Sequence, residues 1–170
     1  MTHKYSTQQI LLHWLSAIVI IWSTVTGFYA GLFHPGQATK EFIGFFNVSL
    51  TTVFIPFFII RLVYLFAHAK PEEQQLSPTE QRLAQLGHLA LYGNISAVLI
   101  TGVLMMNHNI DVFHLFTIPH PLHNPAVILL FNKLHIALCV SLAALIAGHI
   151  LAVAKHQYGG KNILNKMLPW

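Results

Sequence analysis

Four long apolar runs constrain the fold of this chain more than any other feature of its sequence. They extend over residues 10–33, 42–66, 83–106 and 126–154. Each exceeds the roughly 20 residues that an α-helix needs to cross a hydrocarbon core of about 30 Å. Backbone groups within lipid must bond to one another, so such segments are helices. The sequence therefore predicts an all-α, integral membrane four-helix bundle.

The composition supports a membrane protein with one domain. Hydrophobic residues make up 55% of the chain and charged residues only 8%, whereas soluble domains carry about 25% charged residues. The connections over residues 34–41, 67–82 and 107–125 contain no long linker, and the sequence shows no internal repeat. We therefore predict a single domain over residues 1–170, with helices running alternately up and down. The one cysteine, Cys139, excludes a disulfide framework.

The basic residues are distributed unevenly between the two ends of the predicted helices. Only Lys40 and Lys133 fall on the side opposite the termini, against seven on the side of the termini and the second connection. The positive-inside rule then predicts that both termini are cytoplasmic. Membrane orientation thus accounts for the net charge of +4, and we expect lipid and no nucleic acid as a partner. The seven residues are Lys4, Arg61, Lys70, Arg82, Lys155, Lys161 and Lys166.

Histidines interrupt these apolar runs at His13, His88, His135 and His149. An ionisable side chain within a membrane span is costly and marks a functional site by default. His135 and His149 are fourteen residues apart, which is within roughly 40° of four full helical turns and about 21 Å along the axis. Both rings therefore share one helix face, at a spacing that suits two stacked haems.

The predicted topology sorts the four histidines by depth. His13, His88 and His149 fall at the cytoplasmic level, and His135 falls alone at the outer level. A low-spin haem b needs an imidazole on each side of its plane, and facing helices of a bundle supply such pairs. His13 and His149 meet this requirement. His88 could bond to a propionate, line a quinone pocket or replace one of the pair. The alternative for each is a structural histidine bonded to a neighbouring helix.

Arg61 lies about five residues before the cytoplasmic end of the second run. It could be an anchor whose charged end reaches the membrane surface. It could also donate two hydrogen bonds to a haem propionate, because a guanidinium matches a carboxylate in shape and charge. The two roles are compatible, and we include Arg61 among the candidate cofactor-binding residues.

Zinc is the competing interpretation of the histidines. Zinc sites use four N, S or O ligands, commonly including cysteine or carboxylate, and the apolar runs contain no acidic residue apart from Glu41 near a boundary. Zinc within the bundle is therefore disfavoured. The outer connection could collect a metal ion or a proton, or be a solvated polar loop. Its candidate residues are His108, Asp111, His114, His120 and His123.

Several short motifs resemble those of a known family. They are Lys4-Tyr5-Ser6 with Gln9-Ile10 and His13-Trp14, Leu86-Gly87-His88, Gly102 with Met105-Met106, the His135–His149 pair, and Asn162-Ile163-Leu164 with Met167-Leu168-Pro169. Together they resemble the prokaryotic cytochrome b561 family of four-helix di-haem membrane proteins over essentially the whole chain. The chain is also similar, more distantly, to the cytochrome b subunits of formate dehydrogenases and nickel hydrogenases.

This resemblance implies a set of haem ligands. His13 and His149 would hold the inner haem b, and His135 would hold the outer one together with a histidine of the second helix. That last position is occupied by Asn47, as placed by Asn47-Val48-Ser49 and the fourteen residues to Arg61. An amide oxygen is a poor ligand for haem iron, so the resemblance implies either one haem or two.

Three outcomes for the outer haem remain open. It is lost, or it is five-coordinate through His135, or a residue from a connection replaces the missing ring. His34, just after the first run, is the best-placed replacement, and His108 with the other histidines of the outer connection is a further candidate.

The predicted function is electron transfer through haem b in a multi-pass protein of the bacterial inner membrane. A member of the resembled family oxidises superoxide and reduces ubiquinone, so the resemblance suggests transfer from superoxide or another donor to the quinone pool. A first alternative is a haem-bearing membrane anchor for a dehydrogenase or another protein redox partner. A second is a non-redox, histidine-rich membrane protein, which would purify without a Soret band.

Overall fold

Four long helices form the fold. The structure is a computed structural model, and it describes residues 5–67, 76–161 and 163–167. All four helices are long and apolar enough to cross a membrane, which confirms the predicted four-helix membrane protein. They are α1 (Thr7–Leu32), α2 (Gln37–Ala67), α3 (Pro78–Leu104) and α4 (Pro125–Tyr158).

Some residues used in the sequence analysis lie outside the described residues. They are Lys4, Lys70, Asn162, Leu168 and Pro169, together with the side chain of Lys166. The cytoplasmic location of both termini therefore stays a prediction from the distribution of charge.

Polar side chains fix where three of the helices begin. Ser6 and Gln9 form a capping box at the start of α1, and Ser77 and Glu80 form another at the start of α3. The Asn124 side chain accepts hydrogen bonds from two backbone N–H groups of the first turn of α4. These side chains satisfy backbone donors that have no partner within the helix. These caps fix the residue at which each of the three helices begins, and with it the depth of the functional side chains along the helix.

The helices extend beyond the apolar runs because hydropathy marks only the lipid-facing part of a span. α2 begins at Gln37 and not at residue 42, and α3 begins at Pro78 and not at residue 83. The backbone hydrogen bonds continue through these polar turns. α2 also continues past Pro56, which neighbouring helices make tolerable within a membrane.

The connection between α3 and α4 contains a short hairpin that the sequence analysis did not predict. Strands β1 (Ile110–Val112) and β2 (Phe116–Ile118) pair antiparallel, and Val112 is fully buried. The Ser49 hydroxyl on α2 donates to the Asp111 carbonyl oxygen at 3.0 Å and accepts from the Phe113 N–H at 3.1 Å. The hairpin is therefore bonded onto α2 instead of being a wholly solvated loop.

The bundle consists of two helix pairs. α1 packs along α2, and α3 packs along α4, whereas α2 and α3 share a smaller contact. The buried core contains residues from all four helices: Val19, Phe54, Phe58, Ile95 and Leu142. Many other apolar side chains are exposed on the outside of the helices, as is usual for a surface that faces lipid. The weaker contact between the two pairs is where a planar cofactor could lie.

Close packing of α3 against α4 gives a testable prediction at Gly102. A Cβ there would lie 3.2 Å from Cε1 of His135, whereas a Cβ at Gly93 would meet no atom within 4 Å. We expect Gly102→Leu to lower the free energy of unfolding by about 1–3 kcal/mol, because overpacking displaces neighbouring side chains. Thermal unfolding in detergent measures the effect, with Gly93→Leu as the matched control. Equal stability of the two variants would contradict this close packing.

Candidate haem site

One basic side chain from each helix converges at the end of the bundle that carries the termini. They are His13 on α1, Arg61 on α2, His88 on α3 and His149 on α4, which we call the histidine–arginine cluster. Nη2 of Arg61 lies 2.9 Å from Nδ1 of His13, and the His88 and His149 ring centroids are 5.4 Å apart. His13 interacts electrostatically with both other histidines. The structure thus brings together the four residues predicted for this level.

Tyr92 positions the arginine of this cluster. Cζ of Arg61 lies 4.9 Å from the centroid of the Tyr92 ring, and the two side chains are also hydrogen-bonded. A guanidinium over an aromatic face is stabilised by the ring quadrupole. Sequence analysis missed Tyr92. The available signal was its position four residues after His88, which places both side chains on one face of α3.

The Arg61–His13 contact determines the hydrogen position on the His13 ring. A guanidinium only donates hydrogen bonds, so Nδ1 of His13 accepts and Nε2 carries the hydrogen when the ring is neutral. A histidine bound to iron usually coordinates through Nε2 and donates from Nδ1. Haem binding would therefore require Arg61 to leave Nδ1, and a propionate is the kind of acceptor that would attract it.

The donor set of the cluster fits haem b. It combines imidazoles on opposite helix pairs, α1 and α4, with a guanidinium that can neutralise a propionate. Within the described residues, no three His, Cys, Asp or Glu side chains are arranged to hold a metal ion by themselves. In a haem b the porphyrin supplies most of the iron ligands, so His13 and His149 would suffice to hold it.

The segment after α4 folds back over this end of the bundle. Nε1 of Trp14 on α1 donates to the Met167 carbonyl oxygen at 2.8 Å, and Nζ of Lys161 lies 2.7 Å from a carboxylate oxygen of Glu80 on α3. Nδ1 of His156 is 3.8 Å from the same carboxylate. These contacts hold the C-terminal segment against α1 and α3 at this end of the bundle.

His135 lies at the other end of α4, and both of its ring nitrogens have partners. Nδ1 is 3.1 Å from the Val98 carbonyl oxygen and 3.2 Å from the Thr101 hydroxyl. Because a carbonyl only accepts, Nδ1 carries the hydrogen, and Nε2 faces the Cys139 thiol at 3.5 Å. The ring therefore connects α4 to α3.

Asn47 is bonded to α1. Its Nδ2 donates to the Thr26 hydroxyl at 2.9 Å and to the Ser23 carbonyl oxygen at 3.4 Å. The Thr26 hydroxyl is also 3.1 Å from Oδ1 of Asn47. Both ends of the amide are thus engaged within the α1–α2 pair.

The candidate replacement ligands lie in the outer connections. His34 is exposed between α1 and α2, with φ of 45°. The exposed His108 has its Nδ1 2.7 Å from Oδ1 of Asn107, and Nδ1 of His114 is 2.5 Å from an Asp111 carboxylate oxygen. The His120 and His123 rings stand 4.7 Å apart. These partners of His108, His120 and His123 lie within the outer connection.

A cavity of about 920 Å³ lies at the same end of the bundle. It is bounded by α2, the end of α3, the outer connection and the start of α4. Its lining includes Val48, Met105, Asn132, His108 and His120, and neither Asn47 nor His135 is part of it.

Comparison with known proteins identifies the family. The family model described as prokaryotic cytochrome b561 matches residues 4–170. The chain is also 27% identical over 178 residues to cytochrome b561 homolog 2 of Escherichia coli (strain K12), covering 97% of this chain and 91% of that protein. The family implies haem b binding and electron transfer. This chain, a multi-pass membrane protein, therefore belongs to the prokaryotic cytochrome b561 family.

Proposed function

We propose that this protein is an electron-transfer cytochrome of the bacterial inner membrane that binds haem b between His13 and His149 and reduces quinone. The observation that carries the proposal is the histidine–arginine cluster. It places His13 on the α1–α2 pair and His88 and His149 on the α3–α4 pair, with the Arg61 guanidinium beside His13. Superoxide or another one-electron donor would supply the electrons.

Each residue of the histidine–arginine cluster would have a different role in binding haem. Haem, when bound, supplies the one-electron redox chemistry, and the protein sets its orientation and surroundings. His13 and His149 would bind its iron. Arg61, which lies over the Tyr92 ring, would bond to a haem propionate. Hydrogen bonds between a guanidinium and a carboxylate are strong because both groups are charged. His88 contacts the His149 ring and would hold it in position.

The surroundings of the cluster suit a lipid-soluble acceptor. All four helices expose apolar side chains on their outer sides, so a quinone dissolved in the membrane can approach the bundle laterally. Two one-electron transfers from superoxide, with uptake of two protons, would convert one quinone to quinol and release two molecules of dioxygen. This stoichiometry suits a haem centre that transfers single electrons.

Reoxidation by a quinone analogue tests the proposal. Purified protein in lipid nanodiscs is reduced with substoichiometric dithionite and mixed with excess decylubiquinone under argon. We expect the absorption of reduced haem to decay to that of the oxidised form, with formation of decylubiquinol. Nanodiscs without protein measure the direct reaction with residual dithionite. Haem that stays reduced in the presence of excess quinone would exclude quinone as the acceptor.

A further inference from the structure

We infer that the bundle end containing Asn47 and His135 holds no haem, so that this protein has a single haem centre, at the histidine–arginine cluster. The inference rests on the proposed function for that one centre. It assigns Asn47 and His135 a different role, which is to join neighbouring helices.

The hydrogen bonds of Asn47 hold it away from a ligand position. Its amide donates to Thr26 and Ser23 and accepts from Thr26, so the side chain lies against α1. To reach an iron atom it would have to leave two partners, the Thr26 hydroxyl and the Ser23 carbonyl oxygen, in a membrane-embedded interface where few other groups can replace them. It would then offer only an amide oxygen, which is a weak ligand for haem iron.

His135 also has its hydrogen-bond partners within its own helix pair, α3 and α4. Nδ1 donates to the Val98 carbonyl oxygen on α3, a bond that an iron-bound histidine could also make. Nε2, the usual ligating nitrogen, lies 3.5 Å from the Cys139 thiol on its own helix. The ring lies directly against Gly102, since a Cβ there would be 3.2 Å from Cε1. The ring thus fills the space between α3 and α4.

The two side chains bond within separate helix pairs and do not face each other. A haem held at this level would need residue 47 on α2 and His135 on α4 to face each other across the gap between the helix pairs. Instead, Asn47 closes the α1–α2 pair and His135 closes the α3–α4 pair. The nearby cavity of about 920 Å³ is lined by neither residue.

A single centre has a functional consequence. His135 and His149 are separated by about 21 Å along α4. Without a haem at the level of His135, electrons have no second redox centre through which to cross the membrane. Donor and acceptor must then both exchange electrons at the end that carries the termini. The reaction would move no electron from one membrane face to the other.

Haem stoichiometry tests the inference on the complete protein. Pyridine haemochrome absorbance is divided by polypeptide concentration from amino-acid analysis, and a redox titration of the same detergent-purified sample is recorded. We expect about one haem per chain and one n = 1 transition. Two haems per chain would overturn the inference while leaving the proposed cytochrome intact. Well-folded protein without haem would instead overturn the proposed function and, with it, the inference.

Variants locate the centre. His135→Gln preserves an N–H donor for the Val98 carbonyl oxygen, and Asn47→Ala removes the amide; we expect both to keep the wild-type haem content and low-spin EPR signal. Loss of a spectral component in either variant would show that the residue belongs to a haem site. Monodisperse elution in size-exclusion chromatography checks folding, and the wild-type stoichiometry decides the question even where a variant fails to fold.

Discussion

His149→Ala is expected to abolish the low-spin haem of this cytochrome. The substitution removes one of the two imidazoles, His13 and His149, that we propose hold the haem. Loss of partners that merely orient a metal ligand already costs about 10–100-fold in affinity, so loss of the ligand itself should lower haem content more than about tenfold. Pyridine haemochrome and low-temperature EPR of the purified variant measure the change, and His13→Ala should behave in the same way.

A second histidine of the same helix provides the matched control. His156 follows His149 by seven residues, which is about two helical turns, and it contacts Glu80 at 3.8 Å. We expect His156→Ala to retain full haem content. A normal low-spin spectrum in His149→Ala would show that another residue, with His88 the nearest ring, supplies the ligand.

Arg61→Gln is expected to lower the midpoint potential of the haem by roughly 50–100 mV. A nearby positive charge stabilises the reduced haem, which carries one charge fewer than the oxidised form. Coulomb's law with an effective dielectric constant of about 20 gives about 2 kcal/mol for unit charges about 8 Å apart, on the order of 90 mV for a one-electron couple. An optical redox titration in detergent measures the potential.

The variant Arg61→Lys distinguishes the effect of the positive charge from that of the hydrogen-bonding geometry of the guanidinium. Lysine keeps the positive charge but lacks the planar fork of donors, so its midpoint potential should stay near that of the wild type while haem is held less firmly. Equal potentials for Arg61→Gln and the wild type would indicate that Arg61 does not approach the haem. It would then serve only to join His13 on α1 to Tyr92 on α3.

Much of the candidate site could be predicted from the sequence because a membrane limits how helices can be arranged. Spans that alternate in direction fix the depth of every residue, so the order of the spans already placed His13, His88 and His149 at one level. The structure brings those three rings and Arg61 together at that end. Tyr92 was missed because an aromatic residue in an apolar run looks like ordinary packing until its neighbour on another helix is known.

The outer hairpin was missed for a different reason. Residues 107–125 have few charges and little periodicity, and strands of three residues are too short to leave a pattern. The contacts that define the hairpin connect residues distant in sequence, such as Ser49 with the backbone of Asp111 and Phe113. Such bonds depend on how the chain returns to α2.

The sequence by itself determined that four helices cross the membrane and that histidines occur at two depths. Hydropathy and helical periodicity carry that information within each segment. Only the tertiary structure decided which neighbouring helix each polar side chain contacts. The sequence cannot show this, because a helix that is apolar on nearly all sides has no pattern that identifies the face packed against each neighbour. That choice directs Arg61 to His13, and it directs Asn47 to α1 and His135 to α3, each within its own helix pair.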